Sequence, residues 1–223
     1  MTKNIEERFL KDVEGFEMII NCDNGVNRSI LFKHPEKIYN NFTLTTWHGC
    51  LCIEGDMGAY VFERVHDMFE FFKIDRSDFN YSKSKKLNIN PAYWAEKVIA
   101  EDKQNKVEKY SYKKFEAYLE ECFKDFCSGN EEEISKEDES TYLENIKEDF
   151  SEDLSEEEIR KMVSDKSWLR YDCGQVEEDF AEYIGQDFWE VDLNDYTEHY
   201  LWCLYAIVWG IQKYEEYKER KNN

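Results

Sequence analysis

Residues 41–73, NFTLTTWHGCLCIEGDMGAYVFERVHDMFEFFK, decide the fold, because strand, turn, strand and helix signals follow one another within them. Phe42, Leu44 and Thr46 alternate with Thr43, Thr45 and Trp47, the period of two of a strand with unlike faces. After His48-Gly49, residues 50–54 read as the hairpin partner, glycine relieving the tight turn. Gly55-Asp56-Met57-Gly58 precedes residues 59–63, a third strand by their β-branched and aromatic content. From Asp67 the period changes, and Met68, Phe71 and Phe72 share one side of a short amphipathic helix that closes over the sheet.

The same stretch carries a resemblance. Trp47, Gly49, Gly55-Asp56-Met57-Gly58, Tyr60-Val61-Phe62, Arg64 and Asp67-Met68-Phe69-Glu70-Phe71-Phe72 form its first block. It continues through residues 89–97 around Pro91 and Trp94, then Asp187-Phe188-Trp189-Glu190, and finally residues 201–206 with Trp209-Gly210-Ile211. These blocks, in this order, resemble a family of bacteriophage and prophage proteins. The resemblance implies an accessory protein of a mobile genetic element, made inside a bacterial cell, and carries no list of catalytic residues over to this chain.

With 223 residues, 41% hydrophobic and 16% aromatic, the chain can bury a core as one domain or two tightly joined lobes. Two prolines and nine glycines leave little room for long linkers. The first residues lack the apolar run of a secretory signal, so a cytoplasmic location in the host bacterium is expected. Seven cysteines without a regular spacing read as buried free thiols of a reducing compartment. The most apolar run, residues 200–211, falls short of the roughly 20 residues a membrane span needs and reads as the centre of a core helix.

Charge is the most informative bulk property. Residues 1–127 carry 19 Lys and Arg against 22 Asp and Glu, whereas residues 128–223 carry 10 against 28, so nearly all of the net −21 lies in the second half. Such a field repels nucleic acid and anionic membrane and steers the chain towards basic surfaces. Neither is expected as a direct partner.

In chain order, a helix is expected over residues 5–13, with strands at 16–21 and 27–33 joined through the hairpin signal Asn24-Gly25. Residues 74–88, with Lys83, Lys85 and Lys86, read as a polar surface loop. Asn90-Pro91 opens a helix to about residue 103 that shows Trp94, Val98 and Ile99 to the core. A helix over 111–127 follows, then an acidic helix within 131–158 whose apolar stripe includes Tyr142, Ile146 and Phe150. Ser155 with Glu158 resembles a capping box opening a helix to about 164. Asp172-Cys173-Gly174 breaks the pattern before a helix that ends at Gly185, and the last helix, from near 194 to 220, is apolar nearly all round. The expectation is an α+β protein: an N-terminal antiparallel sheet of about four or five strands packed by helices (1–105), and a mainly helical acidic half (106–223).

Three constellations invite chemistry. His48, Cys50 and Cys52 share strand parity, but successive same-face residues lie about 6.5–7 Å apart and no fourth ligand follows, so burial is the reading and neither metal nor cofactor is expected. Asp56, Arg64, His66 and Asp67 mix acid and base as catalysis needs, yet each has a structural use in a turn or at a helix start, and a non-enzymatic protein is favoured. Trp202, Tyr205 and Trp209 read as core, with His199 at its boundary.

The expected function is inhibition of a host defence complex, of the anti-CRISPR or anti-restriction kind. Acids would occupy a cationic channel built for nucleic acid in a basic host protein. The acids assigned to that surface are Glu131, Glu132, Glu133, Glu137, Asp138, Glu139, Glu144, Glu148, Asp149, Glu152, Asp153, Glu156 and Glu157. The alternatives are small-ligand or hydrolytic work around Asp56, Arg64 and His66, and a phage assembly component. Acids also serve solubility, for which a net charge of magnitude about 2–8 suffices.

Overall fold

The computed structural model describes residues 2–73, 87–130, 134, 139–171 and 173–222. It is an α+β fold. Contacts divide the chain into Met1–Glu108 with Tyr196–Asn223, and Lys109–Asp195.

The first unit opens with α1 (Thr2–Asp12) and continues through β1 (Glu17–Asn24), β2 (Asn27–Lys33), β3 (Phe42–Trp47), β4 (Cys50–Gly55) and β5 (Gly58–Glu63). Then come α2 (Met68–Phe72), α3 (Pro91–Ala95) and β6 (Val98–Glu101). The strands form one antiparallel meander in sequence order. Gly49, at φ 78°, supplies the left-handed residue that the turn between β3 and β4 requires. Register aligns Ile30, Leu44, Ile53 and Tyr60 in one row and Thr46, Leu51 and Phe62 in the next, and all of them are buried. Thr43, Thr45 and Trp47, of opposite parity, remain at least partly exposed.

The sheet has six strands, not four or five. The expected helix over 90–103 stops at Ala95, where the Lys97 amide donates to the Trp94 carbonyl at 3.0 Å. Val98 and Ile99, β-branched and better suited to a strand, then pair along β5, placing Val98 opposite Phe62 and Ala100 opposite Val61. Ile99, expected in the core, is 57% exposed. Pairing the β5 edge satisfies amides and carbonyls that a helix would have left open.

The last helix, α8 (Glu198–Asn222), starts later than residue 194, because Asn194–Tyr196 forms strand β8 against β7 (Glu108–Tyr110). The Thr197 hydroxyl accepts from the Tyr200 amide at 3.1 Å and caps the helix start. Residues 200–208 are all buried against the sheet and α1, so this helix belongs with the sheet and not with a C-terminal lobe beginning at 106. Trp202 meets Phe9 and Phe42 edge-on at 5.1 and 5.7 Å, and its indole N–H donates to the Asp12 carboxylate at 3.0 Å. Among the described residues no helix is long and apolar enough to cross a membrane.

The second unit holds α4 (Tyr112–Gly129), α5 (Glu139–Glu148), α6 (Glu156–Asp165), α7 (Gln175–Gly185) and a 3-10 turn at Phe188–Glu190. Its own core gathers Phe115, Phe123, Ile146, Phe150, Trp168 and Phe180. Among the described residues of 131–158, the expected acidic helix is α5, ended by the turn that brings Phe150 inward.

Gly210 marks how closely α8 lies on the sheet, since a Cβ there would stand 2.8 Å from Leu44 Cδ1 and 3.0 Å from Phe32 Cε2. Gly210→Ala therefore lowers stability by up to about 2 kcal/mol net, because overpacking costs about 1–3 kcal/mol against a helix-propensity gain of about 1 kcal/mol. Urea unfolding checks the sign; a stabilised variant would show that the contact is slack.

Candidate acidic interface

The sheet unit does not assemble the expected acid and base group. Asp56 lies in the turn between β4 and β5, where its carboxylate accepts from the Asn41 amide at 3.2 Å. Arg64 and His66 follow the far end of β5, a strand roughly 20 Å long, and both are exposed. Asp67 is committed to structure. Its carboxylate accepts from the Phe69 amide at 3.0 Å, capping α2, and takes two hydrogen bonds from Arg28 at 2.9 and 2.8 Å. Burial pushes the Asp67 carboxyl up, but the Arg28 guanidinium and the Phe69 amide outweigh it and hold the group below the usual range.

Arg28 gave no sequence signal of its own. It lies 4.6 Å above the Phe69 ring and 5.6 Å from that of Tyr214, a half-buried cation held by aromatic faces and one carboxylate.

The His48 and His66 rings sit 4.4 Å apart, a juxtaposition the sequence did not reveal. Cys50 is buried and Cys52 half-buried, and burial pushes both thiols up, away from the thiolate that binds metal. No group of three or more His, Cys, Asp or Glu side chains among the described residues could hold a metal ion.

The acidic surface is built on the second unit. Lys109–Asp195 contains 10 Lys and Arg against 28 Asp and Glu, a balance of −18, which leaves −3 for the sheet unit. Ser111 caps α4, whose buried stripe of Phe115, Leu119, Phe123 and Phe126 recurs at helical spacing. Phe115 meets Phe150 at 4.9 Å and Phe123 meets Phe180 at 5.0 Å, both edge-on. With these stripes turned inward, the carboxylates between them face water. The capping box forms as its spacing predicts: the Ser155 hydroxyl accepts from the Glu158 amide at 3.3 Å, and the Glu158 carboxylate accepts from the Ser155 amide at 2.8 Å. Hydrogen bonds from the Ser155 hydroxyl and amide hold the Glu158 carboxyl below its ordinary value.

The assigned acids divide into three groups. Glu131, Glu132, Glu133, Glu137 and Asp138 lie outside the described residues, as does the lysine-bearing stretch 74–86. Glu148 and Asp149 are met by Arg170 at 3.4 and 2.9 Å, and Glu156 by Arg160 at 2.7 Å. Glu139, Glu144, Glu152, Asp153 and Glu157 make no ion pair among the described residues, and all but Glu139 are exposed. Lys147, which could have neutralised α5, instead reaches Glu116 at 3.4 Å and the carboxylate of Glu120.

Asp67→Asn lowers stability by about 1–3 kcal/mol at neutral pH, since it leaves a half-buried guanidinium without its anion. A depressed folded-state pKa contributes stability that is present above the unfolded Asp value of about 3.9 and is lost as pH falls through the folded value. The difference between wild type and variant therefore closes below about pH 4; a pH-independent difference in urea unfolding would show that the charge is not its source. Comparison with protein-family models, with curated proteins and with solved structures found no match.

Proposed function

We propose that the chain is an inhibitor encoded by a mobile genetic element, acting inside the bacterial cell on a basic, nucleic-acid-binding component of a host defence complex. Segregation of charge carries this reading: a balance of −18 on a unit with its own aromatic core, against −3 for the sheet unit. A merely solubilising charge has no need to concentrate this way.

Magnitudes restrict how a mimic would work. Carboxylates one turn apart on a helix, such as Glu144 and Glu148, are separated by about 6 Å along the axis, whereas each duplex strand carries a phosphate per roughly 3.4 Å. One helix is too sparse. Acids from α5, from the connection at Glu152 and Asp153, and from the first turn of α6 at Glu157 must act together. Meeting a cationic channel, they would displace the condensed anions that nucleic acid would otherwise displace, and binding would weaken steeply with salt.

The test uses the tagged full chain in bacteria carrying a restriction or CRISPR system. The expected capture is a nucleic-acid-binding subunit released by raised salt, whose duplex binding the purified protein then blocks. Combined substitution E144Q/E148Q/E152Q/D153N/E157Q is expected to weaken that complex at least tenfold and to flatten its salt dependence. Undiminished inhibition by this variant overturns the reading.

A further inference from the structure

Trp189 is 74% exposed, although Phe188 beside it is buried in the core of the second unit. The turn that presents it is tightly held. Arg160 donates to the carbonyls of Phe188 at 2.8 Å, Trp189 at 3.4 Å and Val191 at 2.7 Å, while Glu156 anchors the same guanidinium at 2.7 and 2.9 Å. Asp187 enters the turn at φ 56°, in the left-handed region that Asp tolerates better than most side chains. Beside the turn lies a groove of about 430 Å³, floored by Val163, Ala181, Gly185 and Phe188 and edged by the Lys166–Glu182 ion pair.

An exposed tryptophan on a clamped turn contributes little to the fold and loses little freedom on binding. The occupant follows from charge. A unit of balance −18 repels nucleic acid, an anionic membrane and a second copy of itself, leaving a cationic protein surface. Among cations, guanidinium stacks best on an indole face.

We propose that Trp189 and the adjoining groove form the apolar anchor of a docking surface for an arginine-bearing basic segment of a partner protein. Inside the groove Arg160 is paired with Glu156 and Lys166 with Glu182, so the steering comes from the negative balance of the unit as a whole. This inference rests on the inhibitor reading only for the partner's identity; the docking chemistry stands on the second unit alone.

The probe is a short arginine-only peptide titrated into the full chain at about 0.15 M and 0.5 M salt, with tryptophan fluorescence and calorimetry as readouts. Trp189→Ala is expected to keep the melting temperature, because little of the side chain is buried, and to raise the peptide's Kd about 5–20-fold at both salt concentrations. The five-fold acid variant is expected to lose affinity mainly at the lower salt. Equal binding by wild type and Trp189→Ala overturns the inference. So does a homodimer in sedimentation that the substitution dissolves, since the face would then belong to a second copy. If Trp189→Ala loses the peptide while the wild type inhibits no defence system, the inhibitor reading fails alone. If the acid variant abolishes inhibition and Trp189→Ala changes neither measurement, the docking proposal fails alone.

Discussion

The middle of α8 constrains everything around it. Residues 200–208 are buried on every side, so this stretch must be enclosed by several neighbours at once. The sheet provides one wall through Phe32, Phe42 and Leu44, and α1 provides another through Phe9, whose ring contacts Trp202, Tyr205 and Trp209. Near the other end of the helix, Phe69 of α2 closes on Tyr214 at 5.4 Å. Each fully buried aliphatic side chain in such an enclosure contributes about 1.5–3 kcal/mol, and the polar atoms drawn in with it must find partners. Those of two tyrosines do: the Tyr200 hydroxyl donates to the Pro91 carbonyl at 3.1 Å, and the Tyr214 hydroxyl to Asp23 at 2.8 Å.

The sheet unit is nearly neutral, and its half-buried Arg28 is matched by Asp67. The second unit follows another logic. Its acids exceed its cations nearly threefold, so most must either serve the backbone or face water. Glu158 belongs to the first kind, through the capping box, and Asp192 accepts from the Asn194 amide at 2.9 Å. Like charges one helical turn apart cost a few tenths of a kcal/mol each. The aromatic core of this unit offsets that repulsion, which is how the surface can stay so negative and still be folded.

Local signals were legible where a single residue type solves a single problem. The turn at Gly49, the cap at Asp67, the Asn90-Pro91 helix start and the capping box at Ser155 each follow from neighbours in the chain. Residues 98–101 were misread because a short run with β-branched residues after a helix start fits either period, and only the open edge of β5 decides between them. The start of α8 was set too early for a similar reason, since residues 194–196 find their pairing in a strand more than eighty positions away. At the candidate interface the acids were visible, but their neutralisation was not. Arg170 meets Glu148 and Asp149 across more than twenty residues, and Arg160 spends its donors on carbonyls that no pattern points to.

That last arrangement bears on how an acidic protein could choose among basic surfaces. Charge acts at a distance and is screened beyond about 8 Å at physiological salt, so alone it accelerates encounter with every cationic partner alike. Discrimination requires groups held in fixed relation. Glu144 is positioned on α5 and Glu157 on the first turn of α6, the latter set by the same cap that orients Glu158. Trp189 is positioned by an arginine that is itself fixed by Glu156, one turn away on α6. The first turn of α6 thus governs both an exposed carboxylate, Glu157, and, through the Glu156–Arg160 pair, an exposed ring.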